Sequence, residues 1–255
     1  MDLGIRGRVA LVTGASSGIG EAVAFALARE GVRLAVSARR RERLEAVART
    51  ARDAGAVEAK AFTADQSDTA SLRALVDAVE AALGPVEILV VNGGGPRPGT
   101  FAQTPEPEWD AAYALTLQSA LRLVRAVLPG MRARRWGRIV ALESVVVKQP
   151  FPGMVLSNAF RASVAAALKT LSAEVAAEGV TVNTIATGLV DTDRFRAVYD
   201  TPAKAAAAIE AVPMKRPAAP EEFAPLVAFL CGEPARYVTG QTISIDGGLT
   251  AGLFG

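Results

Sequence analysis

The sequence predicts a single α/β domain with a doubly wound parallel sheet of about seven strands and helices on both faces. Short apolar runs alternate with helical patterns along most of the 255 residues, and strands that are apolar throughout are typical of parallel sheets covered on both faces. A glycine-rich turn links the first apolar run to a helical pattern, as in a βαβ unit. No linker, repeat or low-complexity segment interrupts this order, so residues 1–255 are expected to form one domain.

The predicted elements follow one another in regular alternation. The strands are expected at Val9–Val12, Leu34–Ser37, Ala59–Thr63, Ile88–Val91, Arg138–Leu142, Thr181–Ala186 and Thr242–Ile245. The helices are expected at Glu21–Glu30, Arg41–Ala54, Thr69–Leu83, Glu106–Arg134, Asn158–Glu178 and Glu221–Cys231. The least regular stretch, Leu189–Pro217, is long enough to act as a lid or substrate flap.

Composition narrows the class of protein. Apolar residues make up 51% of the chain and the net charge is +2, which permits a large core and argues against nucleic acid as the main partner. No apolar run reaches the roughly 18–20 residues of a membrane span, and the first residues lack the pattern of a signal peptide. With a single cysteine, Cys231, that cannot form an internal disulfide, a cytoplasmic protein with no membrane partner is expected.

The chain contains no histidine. This removes the commonest general base and metal ligand, and no cluster of other residues resembles a metal site. Acid–base chemistry must therefore use tyrosine, lysine, serine or a carboxylate. A hydrolase with a histidine-activated serine is disfavoured for the same reason.

The turn T-G-A-S-S-G-I-G (Thr13–Gly20) predicts a phosphate site. A strand aims the turn, and the helix that follows offers free backbone N–H groups and a partial positive charge at its N-terminus. An ordinary βα turn is the alternative, because glycine is common in turns; the flanking strand and helix favour a dinucleotide site, as in a Rossmann-type domain. The expected cofactor-binding residues here are Gly14, Ser16, Ser17, Gly18, Ile19 and Gly20.

The end of the second strand favours NADP over NAD. An acidic residue near this position bonds the ribose 2′-hydroxyl in NAD sites, whereas this strand runs into Arg39 and Arg40 with no acid. A guanidinium pairs well with a 2′-phosphate. The alternative is that Arg40, Arg41 and Arg43 open a solvated helix face.

Two further strand ends carry candidate residues. The carboxylate of Asp65, after the third strand, could accept a hydrogen bond from an adenine amino group or could cap the helix that starts near Asp68. The fourth strand runs into N-G-G-G-P (Asn92–Pro96), where glycines let a ligand approach the backbone at the sheet edge that binds ligands in such folds. The candidates at this second strand end are Asn92, Gly93 and Gly94.

Together these motifs resemble the short-chain dehydrogenase/reductase family over about Gly7 to Gly248. The turn Thr13–Gly20 matches the family's cofactor turn, and Val90–Gly94 stands where the family has N-N-A-G. Tyr237–Gln241, followed by Asp246–Gly248, resembles its C-terminal signature. The pattern is most similar to 3-oxoacyl-carrier-protein reductase-like members.

The resemblance implies an NADP-dependent oxidoreductase acting on a carbonyl or secondary alcohol, with a small-molecule or carrier-linked substrate. It also implies a homotetramer formed through the helices Glu106–Arg134 and Asn158–Glu178 and the last strand. The further cofactor contacts that it implies are Gln66, Arg161, Gly188 and Val190.

The catalytic positions depart from the family's Asn–Ser–Tyr–Lys tetrad. Ser144 occupies the serine position, but Ser157 stands in place of the tyrosine and Arg161 in place of the lysine. Thr116 replaces the asparagine, and Thr187 replaces the proline that the family has before Gly188. Ser144, Ser157, Arg161 and Thr116 are therefore the candidate catalytic residues of an atypical site.

The replacements change the available chemistry. A serine hydroxyl is a far weaker acid than a tyrosine whose pKa is lowered by a nearby cation. Arg161 stays protonated, so it can bond ribose hydroxyls and supply charge but cannot readily relay a proton. Tyr199 and Lys148 are the alternative proton donors; Tyr113 and Tyr237 are expected to be structural.

Two functions remain open on the sequence alone. One is an atypical NADP-dependent reductase in which Ser144 and Ser157 bond the reacting oxygen and Arg161 stabilises charge. The other is a non-catalytic NADP-binding protein, a sensor or assembly partner, that has lost dehydrogenase chemistry.

Overall fold

In the computed structural model, which describes residues 1–253, seven parallel strands form one sheet. In chain order they are β1 Val9–Thr13, β2 Arg33–Ala38, β3 Glu58–Thr63, β4 Ile88–Val91, β5 Gly137–Ser144, β6 Val180–Thr187 and β7 Thr242–Ile245. Their order across the sheet is β3-β2-β1-β4-β5-β6-β7. The direction of winding reverses between β1 and β4, so ligands are expected at the carboxyl ends of these two strands.

The helices cover both faces of the sheet. They are α1 Gly18–Arg29, α2 Arg41–Asp53, α3 Thr69–Leu83, α4 Glu106–Ala112, α5 Ser119–Arg134, α6 Val155–Val175, α7 Asp193–Val198, α8 Pro202–Glu210 and α9 Ala224–Leu230. Alternate residues of β1 enter different cores, since side chains along a strand point to opposite faces. Ala10 and Val12 pack with α1, α2 and α9, while Val9 and Leu11 pack with α3, α5 and α6. The predicted fold class is confirmed.

Several predicted helices differ from the observed ones; α1, for example, begins at Gly18, three residues before the predicted Glu21. The expected helix Glu106–Arg134 is interrupted by a turn of π-helix at Tyr113–Gln118 between α4 and α5. The helix expected at Asn158–Glu178 begins earlier and ends in a 3₁₀ turn at Ala176–Glu178. The last helix begins later than predicted, at Ala224, after a 3₁₀ turn at Pro220–Glu222.

The stretch 189–217 contains more regular structure than the sequence suggested. The Thr192 hydroxyl caps α7 by accepting from the Phe195 N–H, and the Thr201 hydroxyl caps α8 by accepting from the Lys204 N–H. Each hydroxyl satisfies a backbone donor that the first turn of a helix leaves free. These hydroxyl caps help to stabilise the two short helices α7 and α8, which bury few side chains.

Across residues 1–253, none of the helices combines the length and apolarity needed to cross a membrane. The same residues contain no group of three or more histidine, cysteine, aspartate or glutamate side chains arranged to hold a metal ion.

Candidate active site

The glycine turn after β1 is built for close backbone packing. Gly14 has a φ of +58°, and a Cβ there would lie 2.7 Å from Nδ2 of Asn92. A Cβ on Gly20 would lie 2.4 Å from the Gly14 carbonyl oxygen. Asn92 Nδ2 donates to that same oxygen at 3.1 Å, which ties the turn to the end of β4. Neither glycine can be replaced without moving backbone, so the turn keeps one shape.

The start of α1 can receive an anion. Ser17 precedes α1 in an extended conformation and, within the described chain, forms no side-chain capping bond. The N–H groups of the first turn therefore remain available to a ligand. A Cβ on Gly18 would lie 3.1 Å from Cγ2 of Thr192, so the start of α7 packs beside the turn.

Arg40 is held against the turn. Its Nη2 donates to the hydroxyls of Ser16 and Ser17, both at 3.0 Å. Arg39 is exposed nearby. By contrast, Arg41 forms an exposed ion pair with Glu45 at 2.8 Å, as the solvated-face alternative predicted for it. A positive charge therefore lies beside the phosphate turn, where a 2′-phosphate can be recognised.

Asp65 does not cap α3, so that alternative is wrong. The carboxylate of Asp68 caps the helix by accepting from the Ala70 N–H at 2.9 Å. Asp65 instead accepts from the Ser67 N–H at 2.9 Å and from the Ser67 hydroxyl at 2.7 Å. These hydrogen bonds hold the pKa of Asp65 below its usual range, with a smaller contribution from Arg39.

The end of β4 is open to a ligand. Gln66 Nε2 donates to the Asn92 carbonyl at 2.7 Å, and Gln66 packs so closely that a Cβ on Gly93 would lie 2.4 Å from its Oε1. Around Gly94, apart from its own chain neighbours, no atom of the described residues lies within 4 Å of a Cβ placed there. The backbone at Gly94 is therefore accessible, whereas Gly93 packs against Gln66.

Arg161 forms a buried ion pair that the sequence did not predict. Arg161 lies on α6, one helical turn after Ser157, and its Nη1 donates to Oε2 of Glu143 at 2.7 Å. Only 13% of the Arg161 side chain and 4% of the Glu143 side chain are exposed. Burial raises the pKa of Glu143, and Arg161 opposes this rise through its charge and its hydrogen bond. The ion pair therefore holds the Arg161 guanidinium in place beside the end of β4.

Thr116 lies in the π-helical turn and faces this pair across a small cavity. The cavity is about 20 Å³ in volume and is also lined by Asn92, Glu143 and Arg161. Thr116 Oγ1 is buried and finds no hydrogen-bond partner among residues 1–253. Single π turns often occur at functional sites, and an unpaired buried hydroxyl is costly unless a ligand or water completes it. A larger depression of about 380 Å³, between α2 and β3, contains none of the candidate residues.

The remaining candidates line the neighbouring strand ends. Ser144 ends β5, and its Oγ accepts from the Val146 N–H at 3.4 Å. Thr187 donates its hydroxyl proton to the Glu143 carbonyl at 2.7 Å, so it links β6 to β5. Gly188 sits so close to the C-terminal segment that a Cβ would lie 2.6 Å from the Asp246 Cα. Val190 is buried beyond it.

A sequence profile described as enoyl-(acyl carrier protein) reductase matches residues 14–250 of the chain. The chain belongs to the short-chain dehydrogenase/reductase family. Nodulation protein G of Azospirillum brasilense is 40% identical to it over 244 residues, which are 95% of this chain and 98% of that protein. The 3-oxoacyl-(acyl-carrier-protein) reductase FabG of Escherichia coli is 34% identical over 97% of this chain and 99% of its own length.

Among solved structures, the chain is similar to L-sorbose reductase from Gluconobacter frateurii, complexed with NADPH and L-sorbose. The two share 33% identity with a TM-score of 0.93, over 99% of this chain and 100% of the other. These matches confirm the predicted family and the predicted class of activity, that of an oxidoreductase.

Three tyrosines remain in this member of the short-chain dehydrogenase/reductase family, and their surroundings differ. Tyr199 packs against Phe195 with ring centroids 5.0 Å apart, and burial raises its pKa, which makes it a weaker acid near neutral pH. Tyr113 is partly exposed beside Phe160, and Tyr237 is 99% exposed, so neither is a core residue of the single chain. Lys148 is half-buried after the turn that follows Ser144.

The candidate residues from the sequence do not include two residues of this site. Glu143 is buried against Arg161. Arg194 donates from Nη2 to the carbonyl of Pro96 at 2.6 Å. The available signal for Glu143 was an acidic residue at the end of an otherwise apolar strand, in a chain that carries arginine at the lysine position.

Proposed function

We propose that this protein is an NADP-dependent reductase of carbonyl compounds whose site works with serine and arginine in place of tyrosine and lysine. The observation that carries the proposal is the buried pair of Arg161 with Glu143 beside an intact cofactor turn. Burying two charges is costly unless they are well paired. Arg161 therefore places a fixed cation where the family has its lysine. An apolar side chain at this position would supply no charge.

NADP fits the residues of the first two strand ends. Gly14 and Gly20 give the phosphate turn its close packing, and the start of α1 offers free N–H groups. Arg40, held over Ser16 and Ser17, supplies the charge for a 2′-phosphate. Asn92 and Gly94 follow β4, where the direction of winding reverses, and Gly188 follows β6. L-sorbose reductase, similar over nearly the whole chain, binds NADPH.

The bound cofactor supplies the hydride, which requires the protein mainly to position the reactants. The hydroxyls of Ser144 and Ser157 hydrogen-bond the reacting oxygen. Arg161, held by Glu143, stabilises the negative charge that develops on this oxygen. Water or a neighbouring side chain delivers the proton, because neither a serine hydroxyl nor a guanidinium is a suitable acid near neutral pH.

The test is NADPH oxidation against a panel of carbonyl compounds. The native protein is compared with a variant carrying Ser157→Tyr and Arg161→Lys, which restores the family pair. Turnover by the native protein at least equal to that of the variant supports the serine–arginine mechanism. Turnover by the variant alone overturns it and favours the second candidate, a non-catalytic NADP-binding protein, which the loss of tyrosine and lysine also suggests.

The homotetramer and the cytoplasmic location stay predictions. Exposed aromatic groups next to α4 and α6 support an interface there, since Phe101 is 77% exposed and Tyr113 41% exposed in the single chain. Such surfaces are typical of contact between subunits. Gel filtration at a mass near that of one 26.4 kDa chain would contradict the tetramer.

A further inference from the structure

Two arginine side chains meet beside Gly95, at the carboxyl end of β4. One comes from α6 and the other from α7. A Cβ placed on Gly95 would lie 3.1 Å from Nη2 of Arg161 and 3.1 Å from Nη2 of Arg194. The two nitrogens are therefore separated by at most twice that distance. Because glycine has no side chain, both guanidinium groups find room at this point.

The charges at this point are not balanced. Arg161 is paired with Glu143 through Nη1, which leaves its Nη2 directed toward Gly95. Arg194 donates to the Pro96 carbonyl at 2.6 Å, and within residues 1–253 none of the ion pairs includes it. These side chains thus comprise two guanidinium groups and one carboxylate, and the carboxylate pairs with Arg161 alone. The cleft keeps one net positive charge from these three side chains.

The two neighbouring guanidinium groups of Arg161 and Arg194 favour binding of an anion between them. Loss of hydration, followed by repulsion from Arg161, lowers the pKa of Arg194. A bound carboxylate between the two groups offsets both effects, and a guanidinium nitrogen holds a carboxylate oxygen at about 2.7–2.9 Å. One carboxylate can therefore span the gap between the two Nη2 atoms. Arg194 as a residue is exposed, so a ligand can reach it from solvent.

Helix α7 connects this charge to the phosphate turn, and α6 connects it to Ser157. The helix begins beside the phosphate turn, where Thr192 packs next to Gly18. Two residues later Arg194 reaches across to Gly95 and Pro96. Arg161 lies one turn along α6 from Ser157, and such pairs have Cβ atoms about 5–6 Å apart. Ser157 and Arg161 therefore lie on the same face of α6.

We propose that Nη2 of Arg161 and the guanidinium of Arg194 form a carboxylate clamp, so that the preferred substrate is a short oxo acid with a free carboxylate near the reacting carbonyl. The proposal rests on the proposed reductase function and narrows it. A carrier-linked oxoacyl thioester has no negative charge at that position and does not fill the clamp.

The test compares an acid with its ester in the presence of NADP. The probes are acetoacetate and methyl acetoacetate, and binding to the NADP complex is measured by calorimetry alongside NADPH oxidation. The variant is Arg194→Gln, which keeps hydrogen-bond donors but removes the charge. The matched control is Arg196→Gln on the same helix, whose exposed side chain pairs with Asp191 at the surface. Circular dichroism checks that both variants fold.

Native protein should bind the acid more tightly than the ester. Arg194→Gln should weaken acid binding, and raise its KM, by about 10- to 100-fold, the effect of losing one charge-assisted bond, while ester binding and the Kd of NADPH stay within about 2-fold. Arg196→Gln should change neither. Acid binding without any turnover would support the clamp and overturn the reductase function alone.

Two outcomes overturn the clamp. If Arg194→Gln weakens NADPH and leaves the ratio of acid to ester unchanged, the anion at Arg194 is a cofactor phosphate. If the native protein does not distinguish acid from ester, no carboxylate is held there.

Discussion

Replacing Arg161 by methionine should make the stability of this protein strongly dependent on pH. In the native chain Arg161 lowers the pKa of Glu143 through its charge and its hydrogen bond, against the larger opposing effect of burial. Arg161→Met removes both lowering effects and leaves a carboxyl group of which only 4% of the side chain is exposed. The pKa of Glu143 should therefore rise further, because burial alone then acts on it.

The sign and the size follow from proton linkage. A carboxyl group whose pKa is raised on folding contributes stability that is fully present below the pKa of the unfolded chain, about 4.3 for glutamate, and is lost as pH rises toward the folded value. In Arg161→Met this loss continues to higher pH, at up to about 1.4 kcal/mol per pH unit. Breaking a buried pair typically costs about 3–5 kcal/mol in total.

The assay is urea unfolding followed by tryptophan fluorescence at a fixed protein concentration between pH 5 and 8. The difference in unfolding free energy between native protein and Arg161→Met should increase with pH. In the double variant with Glu143→Gln this pH dependence should disappear, since the titrating group is gone. A difference that is constant across this range, or a total cost below about 1 kcal/mol as for an exposed pair, would refute the reasoning.

Three further predictions concern the cofactor turn and one helix. Arg40→Gln should raise the KM for NADPH about 10-fold or more, because a guanidinium bond to phosphate is charge-assisted. The KM for NADH should stay nearly unchanged. Steady-state kinetics with both cofactors measures the ratio of the two KM values. Gly14→Ala should abolish detectable NADPH binding in fluorescence titration, since its Cβ would lie 2.8 Å from the Asn92 carbonyl oxygen at a φ of +58°. Asp68→Ala should lower the unfolding free energy by about 1 kcal/mol through loss of the α3 cap, with no change in NADPH affinity; an effect on affinity would contradict the assignment of Asp68 as a cap only.

The strands were predictable from sequence because the sheet is buried on both faces. Ile88–Val91 and Thr242–Ile245 are found with the predicted bounds, and the other strands extend by one or two residues at one or both ends. Continuous apolar runs and the glycine turn define this pattern locally. The π turn at Tyr113–Gln118 was not predictable, since its residues are compatible with an ordinary helix.

The site was predictable only where a motif is local. The phosphate turn and the arginines after β2 are each read from a few adjacent residues. The pair of Glu143 with Arg161 joins residues 18 positions apart, and the approach of Arg194 to Pro96 joins residues 98 apart. Such contacts depend on how α6 and α7 pack on the sheet, which no short pattern specifies.

Transfer of deuterium from NADPH that carries deuterium at both C4 positions of the dihydronicotinamide ring tests the reductase proposal most directly. The native protein is incubated with labelled NADPH and acetoacetate or another carbonyl compound, and the product is analysed by mass spectrometry. One deuterium at the former carbonyl carbon, in an amount equal to the NADPH consumed, is the predicted result. Tight binding of NADPH with no label in any product, across the whole panel, would contradict it and leave a cofactor-binding protein without dehydrogenase chemistry.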